Sequence, residues 1–130
     1  MLINKLLNPK LDYVFKRIFG HVGNESITAN LISSVINKEV TSIELDKNTI
    51  LEKDLLNDKI GILDIRAIIN SNIECDIEMQ VVNKSNIEKR LLYYWSKLFS
   101  KNIVQGENYK ILKKTIIILF ANYMYTFRCK

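Results

Sequence analysis

Residues 61–80 constrain the fold more than any other part of the chain, because their side chains alternate between apolar and polar. In the second half of this stretch the apolar set is Ile73, Cys75, Ile77 and Met79, and the polar set is Glu74, Asp76, Glu78 and Gln80. A period of two is typical of β-strands, whose successive side chains point to opposite faces of a sheet. Residues 70–72, Asn-Ser-Asn, tolerate left-handed backbone, so we predict a hairpin with a three-residue loop centred on Ser71.

This loop fixes the register of the hairpin, because residues whose numbers sum to 142 then lie opposite each other. Arg66 faces Asp76 as an ordinary ion pair, whereas Asp64 faces Glu78. Two carboxylates side by side destabilise a sheet unless something compensates their charge. A divalent cation such as Mg²⁺ would do so, since it prefers hard oxygen ligands. The alternative is that the polar residues of the second strand are the solvated side of an antiparallel sheet.

Length and composition indicate one globular domain spanning residues 1–130. The chain is 48% hydrophobic and 25% charged, which is typical of a soluble protein. Its two cysteines, Cys75 and Cys129, form neither a disulfide framework nor a zinc site, so we expect a reducing, cytoplasmic location. The most apolar run, residues 115–127, is shorter than the ~20 residues of a membrane helix, and we expect no membrane association.

Basic residues collect in the second part of the chain. Residues 1–83 contain nine Lys or Arg against twelve Asp or Glu, whereas residues 84–130 contain ten against two. This asymmetry favours a polyanionic partner bound by the C-terminal part, and DNA is the partner we expect. An ordinary basic surface is the alternative.

Helix signals precede the hairpin. Asn8 and Pro9 predict a helix start and Gly20 its end. A second helix is expected from Asn24 to Asn37, followed by a strand over residues 40–51. The apolar residues of the second helix that we expect to face inward are Ile27, Leu31, Ile32, Val35 and Ile36.

The longest helix is expected after the hairpin, from Ser85 or Asn86 to about Val104. Its apolar stripe consists of Ile87, Leu91, Leu92, Trp95, Leu98, Phe99 and Ile103, and another face carries Arg90, Tyr94, Lys97 and Lys101. That second face is either a surface that binds a phosphate backbone or simply a solvated face. Residues 116–120 then predict a strand buried on both sides. The resulting order is helix, helix, strand, strand, strand, helix, strand.

Five short motifs in this order resemble the PD-(D/E)xK nuclease superfamily, and more narrowly the PD-(D/E)xK nuclease family transposases, also called recombination-promoting nucleases. The motifs are Asp12-x-x-Phe15-Lys16-x-Ile18-Phe19-Gly20, Asp58-Lys59-x-x-x-Leu63-Asp64-Ile65-Arg66-Ala67, Ile77-Glu78-Met79-Gln80, Arg90-x-x-x-Tyr94-Trp95-Ser96-Lys97-Leu98 and Gly106-x-x-Tyr109. The resemblance implies an α/β fold with a restriction-endonuclease-like core, in which helices flank a mixed sheet.

The resemblance also implies an activity and a site. It implies a DNA endonuclease that uses one or two Mg²⁺ ions, which Mn²⁺ can replace. Asp64 and Glu78 are implied as metal ligands, and Gln80 completes the catalytic set at a position where the wider superfamily has lysine. Because glutamine carries no charge, Lys16, Lys59 or Lys84 is expected to supply the missing cation.

The resemblance implies a C-terminal truncation, since family members continue beyond the strand at residues 116–120. A sheet edge that has lost its cover would favour self-association, so a homodimer is among the expected partners. Two other interpretations of the function remain open. One is an inactive remnant that binds DNA or its own copies, and the other is a small structural domain unrelated to nucleic acid.

Overall fold

The computed structural model describes residues 6–46, 65–81 and 85–123, without the side chains of residues 12 and 13. Within these ranges the helices are α1 (Asp12–Phe19), α2 (Glu25–Ile36) and α3 (Ile87–Ser100), and the strands are β1 (Ile43–Leu45), β2 (Ile65–Ile69), β3 (Ile73–Gln80) and β4 (Lys114–Ala121). Among these helices, none has the length and apolar character needed to cross a membrane.

The four strands form one mixed sheet in the order β1-β2-β3-β4. The first three strands are antiparallel neighbours, whereas β4 pairs in parallel with β3. A parallel pair requires a crossover connection, and α3 lies in that connection. The predicted fold class and element order are therefore confirmed: helices flank a mixed sheet, as in a restriction-endonuclease-like core.

The central hairpin forms with the predicted loop and register. Ile69 pairs with Ile73 and Ile65 pairs with Ile77, so paired residues sum to 142. Asn70 and Ser71 have φ angles of 49° and 62°, which is the left-handed conformation expected of the loop. The predicted pairing of Asp64 with Glu78 involves a residue that lies outside the described ranges, and it stays a prediction.

Asn70 also joins the hairpin to the segment before β1. Its Oδ1 accepts hydrogen bonds from the backbone N–H groups of Thr41 at 2.8 Å and Ser42 at 3.3 Å. Its Nδ2 donates to the carbonyl of Glu39 at 3.1 Å. One side chain therefore satisfies several backbone groups of a loop and fixes how β1 enters the sheet.

The hydrophobic core occupies one face of the sheet, under α1 and α2. Its buried residues are Phe15, Ile32, Leu45, Ile65, Ala67, Ile69, Cys75, Ile77 and Ile118. The strand residues in this set are those of the predicted apolar face of the hairpin and their neighbours on β1 and β4. Gly20 ends α1 where predicted, and a Cβ at this residue would approach the Lys16 carbonyl oxygen to 2.8 Å.

The predicted start of the first helix is wrong by about three residues. Asn8 accepts a hydrogen bond at Oδ1 from the backbone N–H of Lys10, and the Leu11 N–H donates to the Asn8 carbonyl. These bonds close a turn with Pro9 at its second position, where proline is favoured. The helix begins only at Asp12.

The predicted inward face of α2 is also partly wrong. Ile27 and Val35 are 47% exposed, whereas Thr28 and Ile32 are fully buried. Thr28 replaces an apolar residue in the interior because its hydroxyl donates to the Phe19 carbonyl at 2.5 Å. This bond satisfies the buried hydroxyl and ties α2 to the end of α1.

Three further elements differ from prediction in length or burial. The first strand is short, Ile43–Leu45, and the part predicted over residues 47–51 lies outside the described ranges. The last strand is mostly half-buried, with only Ile118 fully buried among its residues, because β4 lies at an edge of the described sheet. Helix α3 ends at Ser100, and Leu92, predicted to face inward, is 65% exposed.

We expect Ile32→Ala to destabilise the protein by about 2–5 kcal/mol, because it removes a fully buried side chain and leaves a cavity. Ile27→Ala on the same helix is the matched control, and we expect it to cost about 1 kcal/mol or less. Urea denaturation monitored by circular dichroism measures both. Equal losses in the two variants would contradict this packing of α2.

Cys75 is expected to be unreactive in the native protein. Burial raises the pKa of its thiol to about 12, with the charge of Asp76 adding to the shift. The reactive thiolate is then about 10⁻⁴ of the population at pH 8. In a Cys129→Ser background, a thiol-specific reagent at pH 8 should label Cys75 at least about 100-fold faster in urea than in buffer. Fast labelling of the folded protein would contradict this burial.

Candidate active site

The polar face of β3 is buried, not solvated. Glu74, Asp76, Glu78 and Gln80 are between 0 and 8% exposed, although they alternate with the core residues and point to the opposite side of the sheet. We call these four residues the polar row. Carboxylates are rarely buried unless they are paired or bind metals, so the alternative of a simple solvated face is wrong.

Helix α3 lies over this face. The indole Nε1–H of Trp95 donates to the Thr115 carbonyl on β4 at 3.1 Å, and Tyr94 is 4% exposed. The helix therefore packs on the sheet through a face that carries Tyr94 and cationic residues as well as Ile87 and Leu98. A polar helix face meets a polar strand face, which encloses the row between them.

Arg90 contacts the C-terminal end of the row. Its Nη2 donates to Gln80 Oε1 at 2.6 Å and lies 3.4 Å from Glu78 Oε2. The short hydrogen bond goes to the neutral amide, whereas the contact with the carboxylate is long. Arg90 thus adds positive charge at Glu78 without a close bidentate ion pair.

A second cationic cluster surrounds Glu74 at the other end of the row. Lys101 Nζ lies 2.6 Å from Glu74 Oε2, and Asn102 Nδ2 donates to Glu74 Oε1 at 2.6 Å. Arg66 lies 3.9 Å from Glu74 and 3.7 Å from Asp46. Arg66 lies opposite Asp76 in register, as predicted, and its ion-pair contacts in the described residues are with Glu74 and Asp46. A cavity of about 380 Å³ opens beside this cluster.

The predicted nucleic-acid face of α3 does not act as one surface. Arg90 and Lys101 are directed to the polar row, and Tyr94 is buried. Lys97 is exposed, with its ammonium 5.6 Å from the centre of the Tyr93 ring. That these four residues bind DNA stays a prediction.

Several predicted site residues are not described. Asp64, Lys59 and Lys84 lie outside the described ranges, and their roles stay predictions. Lys16 is described on α1, whose Phe15 packs on the apolar side of the sheet, opposite the polar row.

The donor chemistry of the row is compatible with Mg²⁺. Asp76, Glu78 and Gln80 all offer hard oxygen atoms on one buried face, and Mg²⁺ usually takes one or two carboxylates together with water. Within residues 6–46, 65–81 and 85–123 there is no cluster of three His, Cys, Asp or Glu side chains with metal-binding geometry.

The sequence patterns did not predict that Arg90 contacts the polar row, nor that cations cluster around Glu74. The signal was present as charge complementarity. A strand with acidic residues at 74, 76 and 78 precedes a helix whose cations recur at 90, 97 and 101, and the helix must return over the sheet to reach a parallel strand. Opposite charges on elements that pack together predict contact between them.

Comparison with known proteins places the chain in a family. The model of the PD-(D/E)XK nuclease family transposases matches residues 9–128 of the 130-residue sequence, which confirms the resemblance carried by the five motifs. The searches of curated proteins and of solved structures find no match. With nearly the whole chain matched, and with a mixed sheet that buries the Glu78-x-Gln80 motif beside Arg90, this protein belongs to the PD-(D/E)XK nuclease family transposases.

Proposed function

We propose that the protein is a Mg²⁺-dependent DNA endonuclease of mobile-element origin that hydrolyses phosphodiester bonds with little sequence specificity. The observation that carries this proposal is the burial of Glu78 and Gln80 beside Arg90, on a face of the sheet that α3 encloses. Burying a carboxylate is costly, so a buried carboxylate outside the core is commonly a functional group.

Glu78 and the sequence-predicted Asp64 would hold the cation. Bound there, Mg²⁺ would supply Lewis acidity, which polarises a phosphodiester and lowers the pKa of a nucleophilic water molecule. The site is compatible with Mg²⁺ because its side chains offer oxygen ligands on a buried face. Mn²⁺ would replace Mg²⁺.

The remaining residues orient the substrate. The hydrogen bond from Arg90 fixes the side chain of Gln80, which would then position a water molecule or a phosphate oxygen. The exposed ammonium of Lys97 would contact the DNA backbone outside the enclosed site. Neither role involves contact with a base, in agreement with the low sequence specificity proposed.

Nicking of supercoiled plasmid tests the proposal. We expect nicking in Mg²⁺ or Mn²⁺ and none in EDTA. Glu78→Gln preserves the shape of the side chain and removes its charge, and we expect it to lower kcat by about 100- to 1,000-fold. Glu88→Gln is the matched control because Glu88 is exposed on α3, and we expect no change.

Folding is measured in parallel by thermal circular dichroism. Nicking by Glu78→Gln at the rate of Glu88→Gln, or wild-type nicking in EDTA, would contradict the proposal. Salt-dependent DNA binding without any nicking would instead support a non-catalytic binding module. Weak DNA binding without a steep salt dependence would support a structural domain.

A further inference from the structure

Arg90 reaches from helix α3 to the residues of the proposed active site. It lies in the first turn of α3, and its guanidinium reaches β3, where Nη2 is 2.6 Å from Gln80 Oε1 and 3.4 Å from Glu78 Oε2. These are the residues to which the proposed function assigns the chemistry. Arg90 is therefore in the site and not on its outer surface.

Arg90 also connects the buried site with solvent. The side chain of Glu78 is 6% exposed, whereas that of Arg90 is 31% exposed. A guanidinium has five N–H donors, and the contacts with Gln80 and Glu78 use one nitrogen. Its Nε–H is buried and has no hydrogen-bond acceptor among the described residues. The group thus retains donors for an incoming anion.

The other described cations near the polar row are bound elsewhere. Lys101 and Arg66 contact Glu74, which precedes Glu78 by four residues on the same strand. At about 3.3 Å per residue, Glu74 and Glu78 are about 13 Å apart along the strand. Within the part of the chain that the structure describes, Arg90 is the cation in contact with Glu78 and Gln80.

Hydrolysis of a phosphodiester requires a cation close to the scissile phosphate. Phosphoryl transfer spreads negative charge over the phosphate oxygens, and Asp76 and Glu78 add anionic charge on the same strand. Gln80 is neutral and cannot offset it. Arginine suits this task because its planar fork stays charged and can bind two phosphate oxygens.

We propose that Arg90 is a catalytic residue that binds the scissile phosphate of DNA and stabilises the negative charge developing on it. This inference rests on the proposed nuclease function. In the DNA-free protein, Gln80 and Glu78 hold the guanidinium at the site. When DNA binds, its unused N–H groups donate to the non-bridging oxygens of the phosphate. Arg90 thereby takes the role that the sequence assigned to Lys16, Lys59 or Lys84.

The test compares Arg90→Met with Lys89→Met, which removes one positive charge from an exposed neighbouring position on α3. We expect Arg90→Met to lower kcat for plasmid nicking by about 100- to 1,000-fold with KM changed by less than about threefold. Lys89→Met should leave kcat unchanged. Anisotropy of a labelled DNA duplex in Ca²⁺ measures binding without relying on turnover, and Arg90→Met should stay within about threefold of the wild-type affinity.

Two further measurements separate catalysis from a structural role. Arg90→Lys keeps the charge but loses the planar fork, so we expect an intermediate kcat, about tenfold below the wild type. Guanidinium ion at millimolar concentration should partly restore nicking by an Arg90→Ala variant, which the loss of a structural contact would not allow. If Arg90→Met does not fold, these two variants decide the question.

Distinct results would overturn the two proposals. If the wild type nicks DNA and Arg90→Met matches Lys89→Met in kcat, the role of Arg90 is wrong while the nuclease function stands. If Arg90→Met loses DNA affinity with kcat unchanged, Arg90 is a binding contact instead. A wild-type protein that leaves plasmid intact with either metal would overturn the nuclease function and this inference with it.

Discussion

The structure depends on an electrostatic match between β3 and α3. The strand buries three carboxylates, and the helix with the turn after it brings cations to both ends of that row. Leaving one buried charge without its partner typically costs about 3–5 kcal/mol, a large part of the 5–15 kcal/mol that stabilise most domains. The position of α3 on the sheet is therefore fixed by charge as well as by the packing of Ile87 and Leu98.

The two ends of the polar row differ in the contacts they make with described cations. Glu74 has an ammonium and an amide at 2.6 Å, one on each oxygen. Glu78 instead meets a guanidinium at 3.4 Å, whose short bond goes to Gln80. The Glu74 end has the close contacts of a structural anchor, and it fixes the strand from which Glu78 extends. This difference agrees with the different roles proposed for similar acidic residues on one strand.

The loop and register of the hairpin could be predicted because the information for them is local. A period of two, a loop of Asn and Ser, and the register that follows from its length all lie within twenty residues. Contacts between distant elements were harder to predict. Amphipathic patterns predict that polar side chains face solvent. This prediction failed for Tyr94 and Arg90 because the surface that they contact is itself polar. The same prediction failed for Thr28, because the Phe19 carbonyl accepts a hydrogen bond from its buried hydroxyl.

The crossover through α3 has a consequence for the order of folding. The β2–β3 hairpin closes over three loop residues, so its contacts are local and can form within microseconds. The parallel pairing of β3 with β4 joins residues about forty positions apart and requires the intervening helix to return across the sheet. Arg66 and the carboxylates of β3 thus share the local hairpin, whereas Arg90 and Lys101 belong to the crossover that follows it. Enclosure of the polar row therefore depends on a pairing between residues distant in sequence, the kind of contact that forms slowly.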